Sequence, residues 1–293
     1  MRILITGSNG LLGQKIVAQC LKRKHTFLAT SKGINRNPEC PNSYFEELDI
    51  CDQLAIEAVF NQFRPTHVIH TAALTNVDYC ELNVEECQEV NVNAVEKLFF
   101  ACLRENIHFC LLSTDFVFDG LKGNYSETDE VGPLSVYARS KVDAEKILLS
   151  SSIENWSIVR TIIVYGSGNN LSRSNIVLWA RESLRDGKEL NIVDDQFRAP
   201  TFADDLAWAC LEICRRDKMG IFHISGPQTM SVFELVKRIA DYYGYNTQNL
   251  FPSKSATLNQ PAKRPPRTGF DLSKARKELG YEPQTLEETL DLF

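Results

Sequence analysis

The sequence predicts an α/β protein with a doubly wound parallel sheet and a smaller C-terminal lobe. Short apolar runs, continuous rather than alternating with polar residues, are separated by amphipathic stretches of helical spacing. This pattern is typical of parallel strands that helices cover on both faces. The first run ends in three glycines spaced three apart, and the regular alternation stops after residue 165. These observations indicate a nucleotide-binding sheet followed by a second lobe.

The first half of the chain supplies the predicted sheet and its covering helices. Parallel strands joined through helices cross over right-handed, which fixes the hand of the connections. The strands are predicted at residues 3–6, 26–30, 67–71, 109–113 and 157–160, and the helices at residues 14–24, 53–63, 84–105 and 136–150.

After residue 165 the pattern predicts an irregular loop and a second series of elements. Gly187 is placed to end its first helix, and Ser231 with Glu234 should form a capping box. Residues 252–268, rich in proline and basic side chains, predict an extended functional loop. The helices are predicted at 174–186, 203–216 and 231–243, and the strands at 190–193 and 220–225. We divide the chain into a nucleotide-binding domain and a substrate lobe, at residues 1–165 plus 203–219 and 166–202 plus 220–293.

Composition excludes several function classes. A net charge of −6 gives no general attraction to nucleic acid or anionic membranes. The N-terminal apolar run is too short for a signal peptide, and no apolar stretch is long enough for a membrane span. Nine cysteines, an odd number without C-x-x-C spacing, predict reduced, mostly buried thiols and a cytoplasmic protein. The histidines show no metal-ligand spacing, so no metal is predicted.

The three glycines, Gly7, Gly10 and Gly13, stand between the first strand and the first helix. Glycine lets the backbone turn sharply and approach a ligand, and a helix N-terminus offers unpaired N–H groups to an anion. The glycine spacing alone occurs by chance, but here it lies between a predicted strand and a predicted helix. In that context the three glycines, with Leu11 and Leu12, predict the dinucleotide-binding turn of a Rossmann domain.

Two polar groups are predicted beside this turn. Tyr137 and Lys141 are four residues apart in a helical stretch and so share one face. An ammonium group near a phenol should lower the pKa of the tyrosine and make it a usable general acid. Ser113 and Thr114 follow a buried strand, at the sheet edge where ligands bind, and can reach a substrate carbonyl. A surface helical pair and a capped turn are the alternatives.

In their order and separation, these features resemble the extended short-chain dehydrogenase/reductase superfamily, and within it the dTDP-4-dehydrorhamnose reductase family. The resemblance covers nearly the whole chain. It rests on Gly7-x-x-Gly10-x-x-Gly13, residues 70–78, 90–94 and 113–120, Tyr137-x-x-x-Lys141, and residues 160–166, 195–201 and 264–265.

The resemblance implies that NADPH reduces the 4-keto group of a deoxy-sugar nucleotide, as in the conversion of dTDP-4-dehydro-L-rhamnose to dTDP-L-rhamnose. Tyr137 would protonate the keto oxygen, Lys141 would hold the nicotinamide ribose and Thr114 would orient the carbonyl. Asn91 would stabilise the central helix. Other cofactor contacts are implied for Asp49, Ile50, Ala72, Ala73, Thr75 and Ser113, and substrate contacts for Val77, Asp115, Phe116, Asn170 and Gln196.

Charged residues refine the expected ligands. The second strand ends in Ser31 and Lys32, without the carboxylate that NAD sites present to the ribose 2′-hydroxyl. Both side chains could accept a 2′-phosphate, so NADP(H) is predicted, with NAD(H) as the alternative. Arg264 and Arg267 are candidates for the substrate diphosphate because guanidinium groups match phosphate oxygens. A proline-rich surface loop is the alternative for this arginine pair.

Two positions depart from the family pattern. Ile163 stands where the reductases carry a substrate-facing aromatic, and Arg198 replaces a small residue, which predicts added charge near the sugar pocket. Substrate identity therefore does not follow from the resemblance. One alternative is the regulatory β-subunit of methionine adenosyltransferase, which this chain also resembles and which would bind NADP(H) without turnover. Another is a nucleotide-sugar epimerase or dehydratase. A homodimer is also expected to be feasible.

Overall fold

The computed structural model describes residues 1–292, and within them a central sheet of seven strands carries the fold. The strands are β1 Arg2–Thr6, β2 Thr26–Ser31, β3 Phe45–Glu47, β4 His67–His70, β5 His108–Thr114, β6 Trp156–Thr161, β7 Val164–Tyr165, β8 Leu190–Val193, β9 Phe197–Arg198, β10 Thr201–Phe202, β11 Gly220–Ile224, β12 Met230–Ser231 and β13 Leu250–Ser253. The helices are α1 Leu11–Lys22, α2 Gln53–Phe63, α3 Val77–Leu82, α4 Val84–Gln88, α5 Ala94–Arg104, α6 Val136–Leu149, α7 Ile176–Arg185, α8 Ala203–Arg215, α9 Val232–Tyr243, α10 Ser273–Leu279 and α11 Leu286–Leu290.

The central sheet is parallel throughout, in the order β11-β6-β5-β4-β1-β2-β3. Its central strands β4 and β5 are buried along their whole length because helices cover both faces, whereas the edge strand β3, with the sequence Phe-Glu-Glu, is partly exposed. Side chains of α1, α8 and α10 pack in one core, and those of α2 and α5 pack in the other. The strand order reverses between β1 and β4, which is where ligands bind in open α/β sheets. The predicted fold class is confirmed.

One predicted domain boundary is wrong. The segment from residue 220, assigned to the substrate lobe, begins with β11, which pairs with β6 at the edge of the central sheet. Ala275 and Leu279 of α10 also pack in the sheet's core. A strand that joins the edge of the sheet after many intervening residues has the same local residue pattern as a strand of a second lobe. The sequence spacing therefore could not distinguish the two.

The remaining C-terminal elements form the smaller lobe. Its short strands pair as β7 with β10, β8 with β13 and β9 with β12. Helices α7, α9 and α11 share an apolar core around Val177, Leu235 and Leu286. Ser231 caps α9 by accepting the Glu234 N–H at 3.0 Å, and Gly187 ends α7 with a positive φ of 67°. Both capping positions were predicted, although the reciprocal capping box occurs at Thr285 and Glu288.

The predicted helix at 84–105 is interrupted. Residues Glu89–Asn93 form a π-helical turn between α4 and α5. Asn91, in this turn, accepts the Leu74 N–H at 2.8 Å and donates to the Leu74 carbonyl at 3.0 Å and the Ser140 hydroxyl at 3.1 Å. Its predicted stabilising role is thus visible as hydrogen bonds, whereas the π turn has no signature in residue spacing.

The cysteines match the sequence prediction. All nine lie in the described part of the chain and are free thiols, and only Cys51 among them is not buried. Within residues 1–292, no helix is both long and apolar enough to cross a membrane.

Candidate active site

A cleft of about 790 Å³ opens at the carboxyl ends of β1, β4 and β5 and extends to the start of α7. Both lobes contribute to its wall. The β1 end of the cleft is formed by the glycine turn, and the β5 end by Thr114, Tyr137 and Lys141. The cleft therefore joins the two groups of residues that the sequence singled out separately.

The glycine turn leaves no space for side chains. Gly7 has a φ of +70°, and a Cβ there would lie 2.6 Å from the backbone nitrogen of Ala72. A Cβ on Gly13 would lie 2.4 Å from the Gly7 carbonyl oxygen. The first turn of α1 carries no acidic side chain, so its N–H groups are open to an anion. This cradle fits the pyrophosphate of a dinucleotide.

Every residue of the predicted cofactor set lines the cleft. The set runs from the glycine turn across the ends of β2, β4 and β5 to α6. It comprises Gly7, Gly10, Leu11, Leu12, Gly13, Ser31, Lys32, Asp49, Ile50, Ala72, Ala73, Thr75, Ser113, Tyr137 and Lys141.

The β2 end carries two cations and one acid. The Lys32 ammonium lies 2.8 Å from the Asp49 carboxylate, which raises the pKa of Lys32 and lowers that of Asp49. Arg36, which the sequence reading missed, also lines the cleft. The buried Asn9 amide holds its loop, accepting the Arg36 backbone N–H at 2.8 Å and donating to the Ile34 carbonyl at 2.9 Å.

The predicted catalytic residues meet at the far end of the cleft. Tyr137, Lys141 and Thr114 are 8%, 4% and 7% exposed. Ser135 caps α6 by accepting the Ala138 N–H at 3.3 Å. This cap fixes the start of the helix that carries Tyr137 and Lys141. The Thr114 hydroxyl donates to the Asp115 carboxylate at 3.1 Å and forms a hydrogen bond with Tyr137. The Tyr137 phenol and the Thr114 hydroxyl therefore lie next to each other in the cleft wall.

The expectation that Lys141 lowers the pKa of Tyr137 is wrong. Burial raises the pKa of Tyr137 above its usual value, and the hydrogen bond with Thr114 offsets only part of this. The Lys141 ammonium is occupied by the Leu112 carbonyl at 2.6 Å, and burial lowers its own pKa to about 8. Desolvation disfavours the charged form of each side chain and is the largest influence on both pKa values. Tyr137 therefore keeps its proton at neutral pH, as a proton donor must.

The Ser113 hydroxyl does not reach a substrate carbonyl, contrary to the sequence expectation. Its Oγ donates to the Glu145 carboxylate at 2.5 Å, inside the protein. Ser113 and Thr114 both line the cleft, but the Ser113 hydroxyl is engaged by Glu145, so Thr114 supplies the hydroxyl beside Tyr137.

The predicted substrate set divides into two groups. Val77, Thr114, Asp115 and Phe116 line the cleft, whereas Asn170, Gln196, Arg198 and Arg264 are absent from its wall within the described residues. Gln196 donates to the Ser255 hydroxyl at 2.9 Å, and Asn170 to the Arg36 carbonyl at 3.1 Å.

The arginines of the substrate set form internal contacts. Arg198 is 2% exposed, donates to the Pro265 carbonyl at 2.6 Å and lies 3.7 Å from the Asp115 carboxylate. It therefore adds no free charge to a sugar pocket, contrary to expectation. Arg264 binds both oxygens of Asp78, at 3.2 and 2.7 Å, and Arg267 lies 4.3 Å from the centroid of the Phe197 ring. The partners of these arginines are distant in sequence, and the residue pattern gave no sign of them.

Arg173 is the cleft residue that sequence reasoning missed at the substrate end. It is exposed, lines the cleft and donates to the Thr75 hydroxyl at 2.5 Å, with no carboxylate partner among residues 1–292. Its charge also lowers the pKa of Tyr137. The sequence did carry one signal for this residue, which is a basic side chain in the glycine- and asparagine-rich loop that precedes α7. Ile163, at the departing family position, lines the same wall with a φ of +26°, which is unusual for a β-branched residue.

Comparisons with known proteins agree over the full length of the chain. A family model described as the RmlD substrate binding domain matches residues 1–293. A protein named dTDP-4-dehydrorhamnose reductase from Aggregatibacter actinomycetemcomitans is 32% identical over 99% of this chain and 97% of its own. Methionine adenosyltransferase 2 subunit beta from Pongo abelii is 28% identical over 97% and 84%. The crystal structure of a dTDP-4-dehydrorhamnose reductase from Clostridium acetobutylicum, 30% identical, superposes with a TM-score of 0.87 over 100% of this chain and 99% of that one.

Proposed function

The chain belongs to the RmlD substrate binding domain family, and we propose that it is an NADPH-dependent oxidoreductase acting on a deoxy-sugar nucleotide. It reduces the 4-keto group of a substrate of the dTDP-4-dehydro-L-rhamnose type. The observation that carries the proposal is the meeting of Thr114 and Tyr137 with the anion-holding glycine turn in one cleft. The relative at 32% identity, named dTDP-4-dehydrorhamnose reductase, supports the substrate class.

The chain's own residues perform binding, orientation and proton transfer. NADPH, when bound, supplies the hydride to the keto carbon. Thr114 directs its hydroxyl to the keto oxygen, and Tyr137 donates its phenolic proton to that same oxygen, so that the carbonyl becomes an alcohol. Because burial raises the pKa of Tyr137, the phenol is protonated before each turnover. Lys141 holds the nicotinamide ribose with its ammonium group.

The β2 end favours NADP(H) over NAD(H). Lys32 and Arg36 can both face a 2′-phosphate, and Ser31 can donate a hydrogen bond to it. The Asp49 carboxylate neutralises part of this charge, because it lies 2.8 Å from the Lys32 ammonium. An acid at this position also suits a ribose hydroxyl, so NAD(H) is the weaker second cofactor.

Two other functions are less consistent with the site. Relatives named as β-subunits of methionine adenosyltransferase are 27–29% identical in several animals, which keeps a regulatory role as the second candidate. The retained Thr114, Tyr137 and Lys141 favour an enzyme. A dehydratase needs an acidic pair beside the hydroxyl, whereas Asp115 is already paired with Arg198 and Thr268 and is followed by Phe116. A cytoplasmic location and a homodimer stay predictions.

The test is a spectrophotometric assay with purified protein, NADPH and enzymatically prepared dTDP-4-dehydro-L-rhamnose. The reduced nicotinamide absorbance should fall at a rate proportional to enzyme concentration. Fluorescence titration of NADPH in the absence of the sugar serves as the control. Cofactor binding without any oxidation above background would reject the reductase and favour the regulatory role.

A further inference from the structure

We propose that Gln14 is a positioning residue that fastens residues 166–175 across the cofactor end of the cleft and so sets the rates at which NADP(H) enters and leaves. These residues, which we call the strap, join β7 to α7. The inference rests on the proposed function only for the identity of the cofactor. It depends neither on the sugar substrate nor on the chemical step.

The strap is a loop whose two ends are held together. Asn175 donates to the Gly166 carbonyl at 2.7 Å, and it caps α7 by accepting the Leu178 N–H at 3.2 Å. Between these ends, residues 171–174 line the cleft. A surface loop with closed ends can move as a unit, so the strap can lift from the cleft while β7 and α7 stay in place.

The strap crosses the cleft at the end of β1. On one side, beyond β2, the Asn170 amide donates to the Arg36 carbonyl at 3.1 Å. On the other side, beyond β4, the Arg173 guanidinium donates to the Thr75 hydroxyl at 2.5 Å. The sheet order β4-β1-β2 places the glycine turn between these two anchors. A dinucleotide bound at the glycine turn is therefore enclosed by the strap and leaves only when the strap loosens.

Gln14, the residue that follows the glycine turn, is the third anchor of the strap. Its Oε1 accepts the Asn169 N–H at 2.8 Å. Its Nε2 donates to the Asn169 carbonyl at 2.7 Å and to the Asn9 carbonyl at 3.1 Å. The Gln14 side chain is 5% exposed, and a Cβ on Gly168 would lie 3.1 Å from its Oε1. One buried amide group therefore joins the glycine turn to the strap.

Burial makes Gln14 the strongest of the three anchors. Asn170 and Arg173 are exposed, so water can replace either hydrogen bond when it breaks. Without the Gln14 amide, both the N–H and the carbonyl of Asn169 would lose their partner at once. An unsatisfied group that is removed from water costs more than an exposed hydrogen bond contributes. Opening of the strap is therefore limited by Gln14.

A strap that controls access has a distinct kinetic signature. It must open before the cofactor enters as well as before the cofactor leaves, so fastening it lowers both rate constants. A glutamine that only supported the shape of the glycine turn would act differently. Its loss would speed dissociation without speeding association. The two rate constants together therefore separate control of access from support of the turn.

The experiment is stopped-flow fluorescence of NADPH, without sugar substrate, on the wild type and on Gln14→Met. Methionine keeps the length of the side chain and removes the amide. The dissociation rate constant, measured by displacement with excess NADP⁺, should rise about tenfold, the effect of losing one or two hydrogen bonds. The association rate constant should rise about fivefold, so the dissociation constant should rise only about twofold.

Hydrogen–deuterium exchange tests the Gln14 anchor without any cofactor. In Gln14→Met, peptides that cover the strap should exchange at least about fivefold faster than in the wild type, because the Asn169 N–H has lost its acceptor. Peptides from β4 and β5 should exchange at the wild-type rate.

Gln19→Met is the matched control. Gln19 lies on α1 like Gln14, but its amide donates to the Asp204 carbonyl at 2.7 Å and accepts from Arg23 at 3.1 Å. It therefore joins α1 to α8 and has no bond to the strap. Its replacement should lower the melting temperature and leave both NADPH rate constants unchanged.

Asn170→Gly is the second variant, for use if Gln14→Met does not fold. Asn170 is exposed and has a φ of +47°, which glycine adopts readily, and its replacement removes the bond to the Arg36 carbonyl. Both NADPH rate constants should rise about twofold, less than in Gln14→Met, because this anchor is exposed. Unchanged rate constants in this variant would count against the strap.

Two outcomes for a folded Gln14→Met would overturn the proposal. One is wild-type NADPH rate constants together with wild-type exchange of the strap. The other is faster dissociation with unchanged or slower association, which would assign Gln14 to the shape of the glycine turn. Failure of the sugar-reduction assay would leave both readouts intact. Failure of NADPH to bind would contradict the proposed cofactor, and the exchange measurement would still test the anchor.

Discussion

The two ends of the cleft are held in place by different means. The β1 end is a backbone structure, in which glycine positions leave no room for a Cβ and a helix start offers N–H groups. The β5 end and the lobe above it are organised by charged side chains that pair with each other, Arg198 with Asp115 and Arg264 with Asp78. The first end is complete before a ligand arrives. At the β5 end, a basic side chain can bind an anion only if it lies outside these ion pairs, as Arg173 does.

Tyr137→Phe should have the largest effect, because it removes the proton donor and leaves the cofactor end untouched. Turnover should fall at least about 100-fold with NADPH affinity little changed. Phe keeps the packing of the ring against Cys80 and Cys87, so the melting temperature should hold. Steady-state kinetics with parallel NADPH titration measure both quantities. Near-normal turnover would remove Tyr137 from the mechanism.

Gly13→Ala tests the backbone end. The added Cβ would lie 2.4 Å from the Gly7 carbonyl and 2.6 Å from the Ser8 Cα, and neither backbone atom can move without opening the turn. NADPH affinity should fall on the order of tenfold or more, the effect of about 1–3 kcal/mol of overpacking.

Gly244→Ala is the control for Gly13→Ala. Gly244 follows α9 with a φ of +69° and has open space around its Cα. This variant should lose about 1–2 kcal/mol of stability through its left-handed conformation and no cofactor affinity. Equal NADPH affinities in the two glycine variants would show that the turn is not a rigid cradle.

Arg173→Gln and Arg264→Gln compare a free cation with a paired one. Loss of Arg173 should raise the KM for the sugar nucleotide about tenfold, the effect of one charge-assisted hydrogen bond to its diphosphate. Loss of Arg264 should have a smaller effect, because Asp78 already neutralises it. Initial rates against substrate concentration measure both. The reverse order would mean that the Arg264–Asp78 pair opens on binding, as the sequence prediction for Arg264 requires.

Lys32→Ala should give the smallest change. The side chain is 81% exposed and shares its charge with Asp49, so its loss should weaken NADPH about threefold to fivefold and leave NADH unchanged. Asp49→Asn should act in the opposite direction, because it frees the ammonium group for a 2′-phosphate. Dissociation constants for both cofactors test this. Equal effects on NADPH and NADH would reject the phosphate contact.

The difference between the two ends also explains what the sequence could predict. Strand ends and glycine turns depend on local residues, so the sheet was predicted correctly. The residues that we predicted for the cofactor, and Thr114, Tyr137 and Lys141 with them, all lie in the wall of one cleft. The partners of Arg198 and Arg264 lie 83 and 186 residues away along the chain, and no local pattern encodes such pairs. The edge position of β11 and the raised pKa of Tyr137 also depend on tertiary burial. For the same reason Arg36 and Arg173 emerged only from the folded chain.

The central claim is that one cleft delivers a hydride and the Tyr137 proton to the same carbonyl. The most direct measurement is isotope transfer, with NADPH deuterated at either face of nicotinamide C4 and the keto sugar nucleotide as acceptor. The account predicts that mass spectrometry finds one deuterium on the product's C4, from one face only, and a rate at least about 100-fold lower in Tyr137→Phe. A product free of deuterium from both labelled cofactors, or no product while NADPH is bound, would contradict it.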